Sequence, residues 1–140
     1  MRPQRESVAS AGKCVVIVDD DAGSLAFLRN LFEVAAFDHV VAYNDPLHAF
    51  REIVRTGCPD LIVAESHMHR LSGVDLLNEL SMLYGRITAI VVTGDSAHAH
   101  ERDHGFPVID KGDEHLGTVL LALAGRLLGG NYASIHIAER

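Results

Sequence analysis

Pro59-Asp60-Leu61-Ile62-Val63-Ala64-Glu65 is a short apolar run that ends in a carboxylate, and similar runs recur along the chain. A continuous apolar run of this length is typical of a strand buried on both faces, as the strands of parallel sheets are. Three further runs have this form and also end next to polar side chains: Val15-Val16-Ile17-Val18 before Asp19, Ile90-Val91-Val92 before Thr93, and Val108-Ile109-Asp110 before Lys111. The runs therefore predict parallel strands with polar groups at their ends.

Helical segments separate these runs, and several carry boundary signals. Asp45 followed by Pro46 predicts the start of one helix, Gly57 predicts its end, and Ser72 predicts the start of the next. Strand and helix alternate five times, which predicts an α/β fold with one parallel sheet and helices on both faces. The remaining predicted elements are a helix opened by Gly23-Ser24, strands over 39–43 and 107–109, a weak polar helix over 96–104 and an apolar last helix over 113–128.

Length and charge indicate a single domain and exclude some partners. The chain has 140 residues and a formal net charge of −7 without a long basic run, which argues against nucleic acid, because its phosphates are bound through Lys and Arg. No segment approaches the roughly 20 apolar residues that cross a bilayer, and no apolar signal core is present. We therefore expect no membrane contact and a cytoplasmic location, with a loose leader over 1–12, a folded domain over 13–129 and a tail over 130–140.

The polar groups at the predicted strand ends are the candidate site, because open parallel sheets bind ligands at the carboxyl ends of their strands. Carboxylates suit a hard divalent cation, while a hydroxyl and an ammonium suit a phosphoryl group. A plainer interpretation treats the aspartates after the first strand as a solvated turn, and it is the better one for Asp21. The candidate site residues are Asp19, Asp20, Glu65, Thr93 and Lys111.

From about Lys13 to Leu128, the chain resembles the receiver domain of two-component response regulators. The resemblance rests on the order and spacing of motifs that are each weak alone: Asp19-Asp20-Asp21, Pro59 to Glu65, Met68 with Leu71 to Leu77, Val92-Thr93-Gly94 and Asp110-Lys111. It implies the flavodoxin-like (βα)5 fold, with a five-stranded, doubly wound parallel sheet. It also implies other signalling proteins as partners, namely a histidine kinase or a downstream effector.

The resemblance also implies a role for each pocket residue, since receivers accept a phosphoryl group with the help of Mg²⁺. The residue at the phosphoacceptor position is Glu65. The implied metal ligands are Asp19, Asp20, Glu65 and the backbone carbonyl of His67. The implied phosphoryl-pocket and switch residues are Thr93 and Lys111.

The sequence departs from the family at the acceptor, because Glu65 stands where an aspartate is usual. Its reach differs by about one C–C bond, and a misplacement of roughly 1 Å can cost on the order of 10²-fold in rate. We therefore expect phosphorylation and Mg²⁺ binding to be weak or absent. Two hypotheses stay open: Glu65 reaches Lys111 or Thr93 and holds an active-like state, or the pocket is an inert scaffold. Other departures are His69, Thr88, Val108, Gly112 and a shortened segment between Thr93 and Lys111.

These features predict a stand-alone atypical receiver that acts through protein–protein interaction and is not an enzyme. One alternative is an Mg²⁺-dependent response regulator that is still phosphorylated. A second is a small phosphatase similar to haloacid dehalogenases, in which Asp19 would attack phosphate and Asp21 would be the general acid. Gly23 argues against this phosphatase, because that family has Thr or Val at the position four residues after the nucleophile.

Two groups of histidines invite other interpretations. His100-Glu101-Arg102-Asp103-His104 matches the zinc-protease pattern, but it lies in a short polar segment of a chain with nine histidines, where a chance match is easy. Adventitious metal binding by His98, His100 and His104 is a better interpretation of this group. His67 and His69 flank the pocket, and we expect them to belong to a solvated loop.

The last predicted helix carries an apolar stripe formed by Leu116, Leu120, Leu123 and Leu127, with Val119 beside it. One interpretation is a helix that neighbouring elements cover. The other is a protein-binding surface or a homodimer surface, because exposed apolar patches often mark interfaces.

Overall fold

The computed structural model describes residues 12–95, 102–103 and 105–129. The strands are β1 (Cys14–Val18), β2 (His39–Tyr43), β3 (Leu61–Glu65), β4 (Ala89–Thr93), β5 (Arg102–Asp103) and β6 (Phe106–Asp110). The helices are α1 (Ala22–Val34), α2 (Pro46–Thr56), α3 (Gly73–Tyr84) and α4 (Leu116–Leu128).

One sheet runs through the described residues in the order β2-β1-β3-β4-β6-β5. The first five strands of this order are parallel, and the two-residue β5 pairs antiparallel with β6. The strand order reverses at β1, so the switch point lies between the ends of β1 and β3. The five-stranded, doubly wound parallel sheet predicted from the sequence is confirmed.

The sheet divides the core into two apolar layers because successive strand residues point to opposite faces. Val15 and Ile17 of β1 pack with α1 and α4 on one face, while Val16 and Val18 pack with α2 and α3 on the other. All five residues of β3 are buried. The polar side chain that ends β3 is therefore fixed by a strand with apolar packing on both sides.

Side-chain caps set the starts of the helices that flank the site. Asp21 caps α1 by accepting a hydrogen bond of 2.8 Å from the amide of Ser24. Asp45 caps α2 with Pro46 in its first turn, and Ser72 caps α3. The predicted helix starts at Asp45 and Ser72 are confirmed, as is the end of α2 at Gly57. Each such cap contributes on the order of 1 kcal/mol.

The predicted helix over 96–104 is wrong at its end, because Arg102 and Asp103 form β5 against β6. Its other residues, 96–101 and 104, lie outside the described residues, as do most of the predicted leader and the tail over 130–140. The last helix begins at Leu116 rather than at 113. Asp113 forms a turn instead, since its amide donates to the carbonyl of Asp110 and its carboxylate accepts from the amide of His115. The predicted strand over 107–109 lies within β6.

Among the described residues, no helix combines the length and apolar character that a bilayer crossing requires.

Candidate functional site

Buried polar side chains gather at the carboxyl ends of the parallel strands, where the sequence predicted the site. Asp19 follows β1, Glu65 ends β3, and Thr93 ends β4. Asp19 and Thr93 are fully buried, and Glu65 is 6% exposed. Lys111 follows β6, and its side chain is 20% exposed. Polar groups buried to this extent require partners inside the protein.

Lys111 lies between two of these carboxylates. Its Nζ atom is 2.7 Å from Oδ2 of Asp19 and also contacts Oε1 of Glu65. Burial acts to lower the pKa of Lys111, but the hydrogen bonds to Asp19 and Glu65 outweigh it, so the pKa is raised. The ammonium therefore stays charged and joins β1, β3 and β6. The structure shows the contact between Glu65 and Lys111 that the first hypothesis for Glu65 requires, while the active-like state stays a prediction.

The Asp19 carboxylate has partners on both oxygens. Oδ1 accepts from the amide of Asp21 at 3.0 Å, and Oδ2 accepts from the hydroxyl of Ser24 at 2.6 Å as well as from Lys111. Ser24 is the third residue of α1 after its cap, and side chains in the first turn of a helix point back toward its N-terminus. Ser24 was missed as a site residue, although its place three residues after a capping aspartate was a usable signal.

The Glu65 carboxylate is bound from both sides in the same way. Oε1 contacts Lys111, while Oε2 accepts from the amide of His67 at 3.0 Å and from the hydroxyl of Ser66 at 3.1 Å. Ser66 is 8% exposed and was also missed by sequence reasoning. It directly follows Glu65, and no sequence pattern marks it as part of the site.

Asp20 is placed apart from this cluster. Its Oδ2 accepts from the amide of His69 at 2.9 Å and lies 3.9 Å from Nδ1 of that residue, in the loop between β3 and α3. A cavity of about 370 Å³ lies here, lined by Asp20, His67, Met68, His69 and Ser72. The structure therefore brings Asp19 and Glu65 together around Lys111, while Asp20 holds the neighbouring loop. Within the described part of the chain, no three His, Cys, Asp or Glu side chains are arranged to hold a metal ion.

Thr93 supports the site from β4. Its carbonyl accepts from the amide of Lys111 at 2.7 Å, which fixes the start of the lysine loop. Its hydroxyl oxygen accepts from the amide of Asp95 at 3.1 Å. Thr93 thus lies at the predicted place and orders the loops on either side of the pocket.

The remaining predicted residues have plain structural roles or lie outside the described residues. The amide of Gly112 donates to Oδ1 of Asp110 at 2.8 Å, a bond that a proline at this position would lose. Val108 is half-buried beside the core layer of α2 and α3. His69 is 87% exposed, in agreement with a solvated loop. The zinc-protease pattern and His98 lie outside the described residues, except for the backbone of Arg102 and Asp103.

Comparison with known proteins supplies the family context for this pocket. Residues 15–104, more than half of the chain, match the family described as the response regulator receiver domain. No curated protein matches the sequence.

Solved structures with a similar fold include a two-component transcriptional regulator AraC from Clostridium phytofermentans, with a TM-score of 0.70, 18% identity, and coverage of 92% of this chain and 100% of that one. The receiver domain of NtrX from Brucella abortus has a TM-score of 0.70 and 19% identity, covering 82% of this chain and 98% of that one. A receiver domain protein from Clostridium thermocellum has a TM-score of 0.67 and 17% identity, covering 91% and 99%. At these identities the likeness shows the fold, which is the flavodoxin-like receiver fold.

Proposed function

Because the chain belongs to the response regulator receiver family, we propose that it works in two-component signalling as a protein-binding module whose phosphorylation at Glu65 is weak or absent. Receivers interact with kinases and effectors. Under this proposal, a histidine kinase or a downstream effector recognises the folded domain, and the domain itself catalyses no reaction. We further propose that this takes place in the cytoplasm. Membership of the receiver family removes the support for the haloacid-dehalogenase-like alternative that used Asp19.

The observation that carries the proposal is the engagement of both oxygens of Glu65. A carboxylate attacks a phosphoryl donor with a lone pair, and it must approach within roughly 3–3.5 Å in the right orientation. Here Oε1 is bound to Lys111, and Oε2 accepts from the amide of His67 and the hydroxyl of Ser66. Phosphorylation would require the carboxylate to leave these partners as well as to correct its longer reach.

The same contacts favour a fixed state over a switching one. A carboxylate at this position carries negative charge at neutral pH without modification. Here the carboxylate of Glu65 already reaches Lys111. The pocket therefore holds a permanent link between β3 and β6, and partner binding depends on the folded surface.

The test is intact-mass measurement after incubation with a small phosphodonor and Mg²⁺, with wild type and Glu65→Asp compared side by side. We expect no phosphoryl adduct on the wild type. An adduct on Glu65→Asp alone would show that only the acceptor residue has been changed in an otherwise competent pocket. No adduct on either protein would show that the pocket does not support phosphoryl transfer even with an aspartate at position 65. An adduct on the wild type would overturn the proposal in favour of the Mg²⁺-dependent phosphorylatable regulator.

We propose the last helix as the partner surface. Val119 and Leu127 of α4 are 38% and 39% exposed, so the helix keeps apolar side chains at the surface after the core has been formed. The partner is another signalling protein or a second copy of this chain.

A further inference from the structure

Receivers generally bind Mg²⁺ in the acidic pocket, but the residues of this pocket do not fit a divalent metal. We infer that the ammonium of Lys111 is the resident cation between Asp19 and Glu65, and that it excludes Mg²⁺ from this position. The inference deepens the proposed function by naming the cation of the same pocket. It is tested without a phosphodonor, so its outcome is independent of whether Glu65 is phosphorylated.

The carboxylate oxygens of Asp19 and Glu65 are already occupied. All four oxygens of Asp19 and Glu65 have partners within the chain: two backbone amides, two hydroxyls and Lys111. Mg²⁺ requires near-octahedral oxygen ligands at about 2.0–2.1 Å and loses its waters reluctantly. Binding here would have to break several of these hydrogen bonds before a first metal–oxygen bond formed.

The two buried carboxylates also have a cation between them already. Asp19 is fully buried and Glu65 is nearly so, which makes two negative charges costly unless a cation lies between them. Lys111 provides that cation from within the chain, on a side chain that is only 20% exposed. A divalent ion could enter only against the positive charge of Lys111, or by moving the ammonium away from both carboxylates.

Asp20, the other expected metal ligand, has a different partner. Its Oδ2 is bound to the amide of His69, in the loop that follows β3. Asp20 therefore stabilises that loop instead of joining Asp19 and Glu65 around a common point. The hydroxyls of Ser24 and Ser66 hold the other two carboxylates in the orientation that Lys111 requires.

The experiment follows thermal unfolding by circular dichroism during Mg²⁺ titration of the wild type, Lys111→Met and Lys13→Met. The chain contains only two lysines, and Lys13 precedes the opposite end of β1, so Lys13→Met removes the same charge without touching the pocket. We expect no Mg²⁺-dependent shift for the wild type or Lys13→Met. In Lys111→Met the carboxylates lose their cation, and we expect a rise in Tm of about 5 °C when Mg²⁺ reaches about ten times its dissociation constant.

A Mg²⁺-dependent rise in the Tm of the wild type would overturn the inference. It would also be overturned if Lys111→Met folded but responded to Mg²⁺ no more than Lys13→Met, because Lys111 would then not be what excludes the metal. If Lys111→Met does not fold, Mn²⁺ titration of the wild type followed by electron paramagnetic resonance decides the question. Free Mn²⁺ signal at every protein concentration supports the inference, and stoichiometric loss of the signal contradicts it.

Discussion

Gly73 packs so closely against the end of β3 that a Cβ atom at this position would overlap the carbonyl oxygen of Glu65 and lie 2.9 Å from its carbonyl carbon. The amide of Gly73 also donates to the carbonyl of Ser66 at 3.1 Å. The start of α3 is thereby fixed against the residue that supplies the central carboxylate. Contacts below 3.0 Å with backbone atoms leave no space for a side chain.

We predict that Gly73→Ala destabilises the domain by about 2 kcal/mol or more, because the added methyl group forces α3 away from β3. Chemical denaturation gives the change in unfolding free energy. Gly94→Ala is the matched control, since a Cβ at Gly94 meets no atom within 4 Å. Equal stability of the two variants would show that α3 moves freely relative to Glu65.

The strands that form the pocket were predictable because each is a continuous apolar run followed by a polar residue. Periodicity and capping residues also gave the positions of the first three helices. The segment over 96–104 was not predictable in the same way, because it is polar and has no clear apolar pattern. Its end forms β5 by pairing with β6, and the local sequence does not reveal this tertiary contact. The helix α4 begins at Leu116, later than predicted, because Asp113 and His115 form a turn. The sequence of these residues is also compatible with a helix.

Within the site, the sequence located Asp19, Glu65, Thr93 and Lys111 because each follows or ends a strand. It did not reveal that Asp20 would bind the loop of His69, because a backbone amide has no sequence signature. Ser66 was missed for a related reason, because its role appears only when a buried carboxylate lies within hydrogen-bond distance. Ser24 was missed although its place three residues after Asp21, the cap of α1, was a usable signal.

We predict that Ser24→Ala destabilises the domain by about 1–3 kcal/mol, because a fully buried carboxylate oxygen of Asp19 loses its hydroxyl donor. Ser24→Thr keeps a hydroxyl at the same position, and we expect it to restore most of the loss. Urea unfolding at neutral pH measures the change in unfolding free energy of both variants. If Ser24→Ala matched the wild type, the 2.6 Å hydrogen bond to Asp19 would contribute little to stability.

The predicted apolar stripe of the last helix is partly buried and partly exposed in the structure. Leu120 is fully buried, whereas Leu116 and Leu123 are partly buried against the core, and Val119 and Leu127 remain exposed. Both interpretations of the helix therefore keep some support, because one side of the stripe packs in the core and the other side stays at the surface.

We predict that Val119→Glu leaves the unfolding free energy within about 0.5 kcal/mol of the wild type, because this exposed side chain is not part of the buried core.

If α4 mediates self-association, Val119→Glu is expected to lower the sedimentation coefficient to that of a monomer at concentrations where the wild type associates. Met82→Glu on α3 is the control, because Met82 is 81% exposed and lies on a different helix. A wild type that sediments as a monomer at high concentration would leave α4 as a surface for another protein. Loss of association in Met82→Glu, but not in Val119→Glu, would place the self-association surface on α3.

The raised pKa of Lys111 makes a prediction about alkaline stability. Lysine has an ordinary pKa of 10.5, and the hydrogen bonds to Asp19 and Glu65 overcome burial to raise it in the folded state. A group whose pKa rises on folding stabilises the fold fully below the unfolded-state value and loses that contribution as the pH passes the folded-state value. The stabilisation by Lys111 is therefore present at neutral pH and declines only above the ordinary lysine range.

We predict that Lys111→Met costs about 3–5 kcal/mol at neutral pH, because it leaves two buried carboxylates without their cation. The difference in unfolding free energy from the wild type should stay constant up to about pH 10 and shrink at higher pH. Lys13→Met should follow the wild type over the whole range, which separates the pocket from general alkaline effects. A difference that already shrinks near pH 8 would mean that the ammonium is not held in its charged form by Asp19 and Glu65.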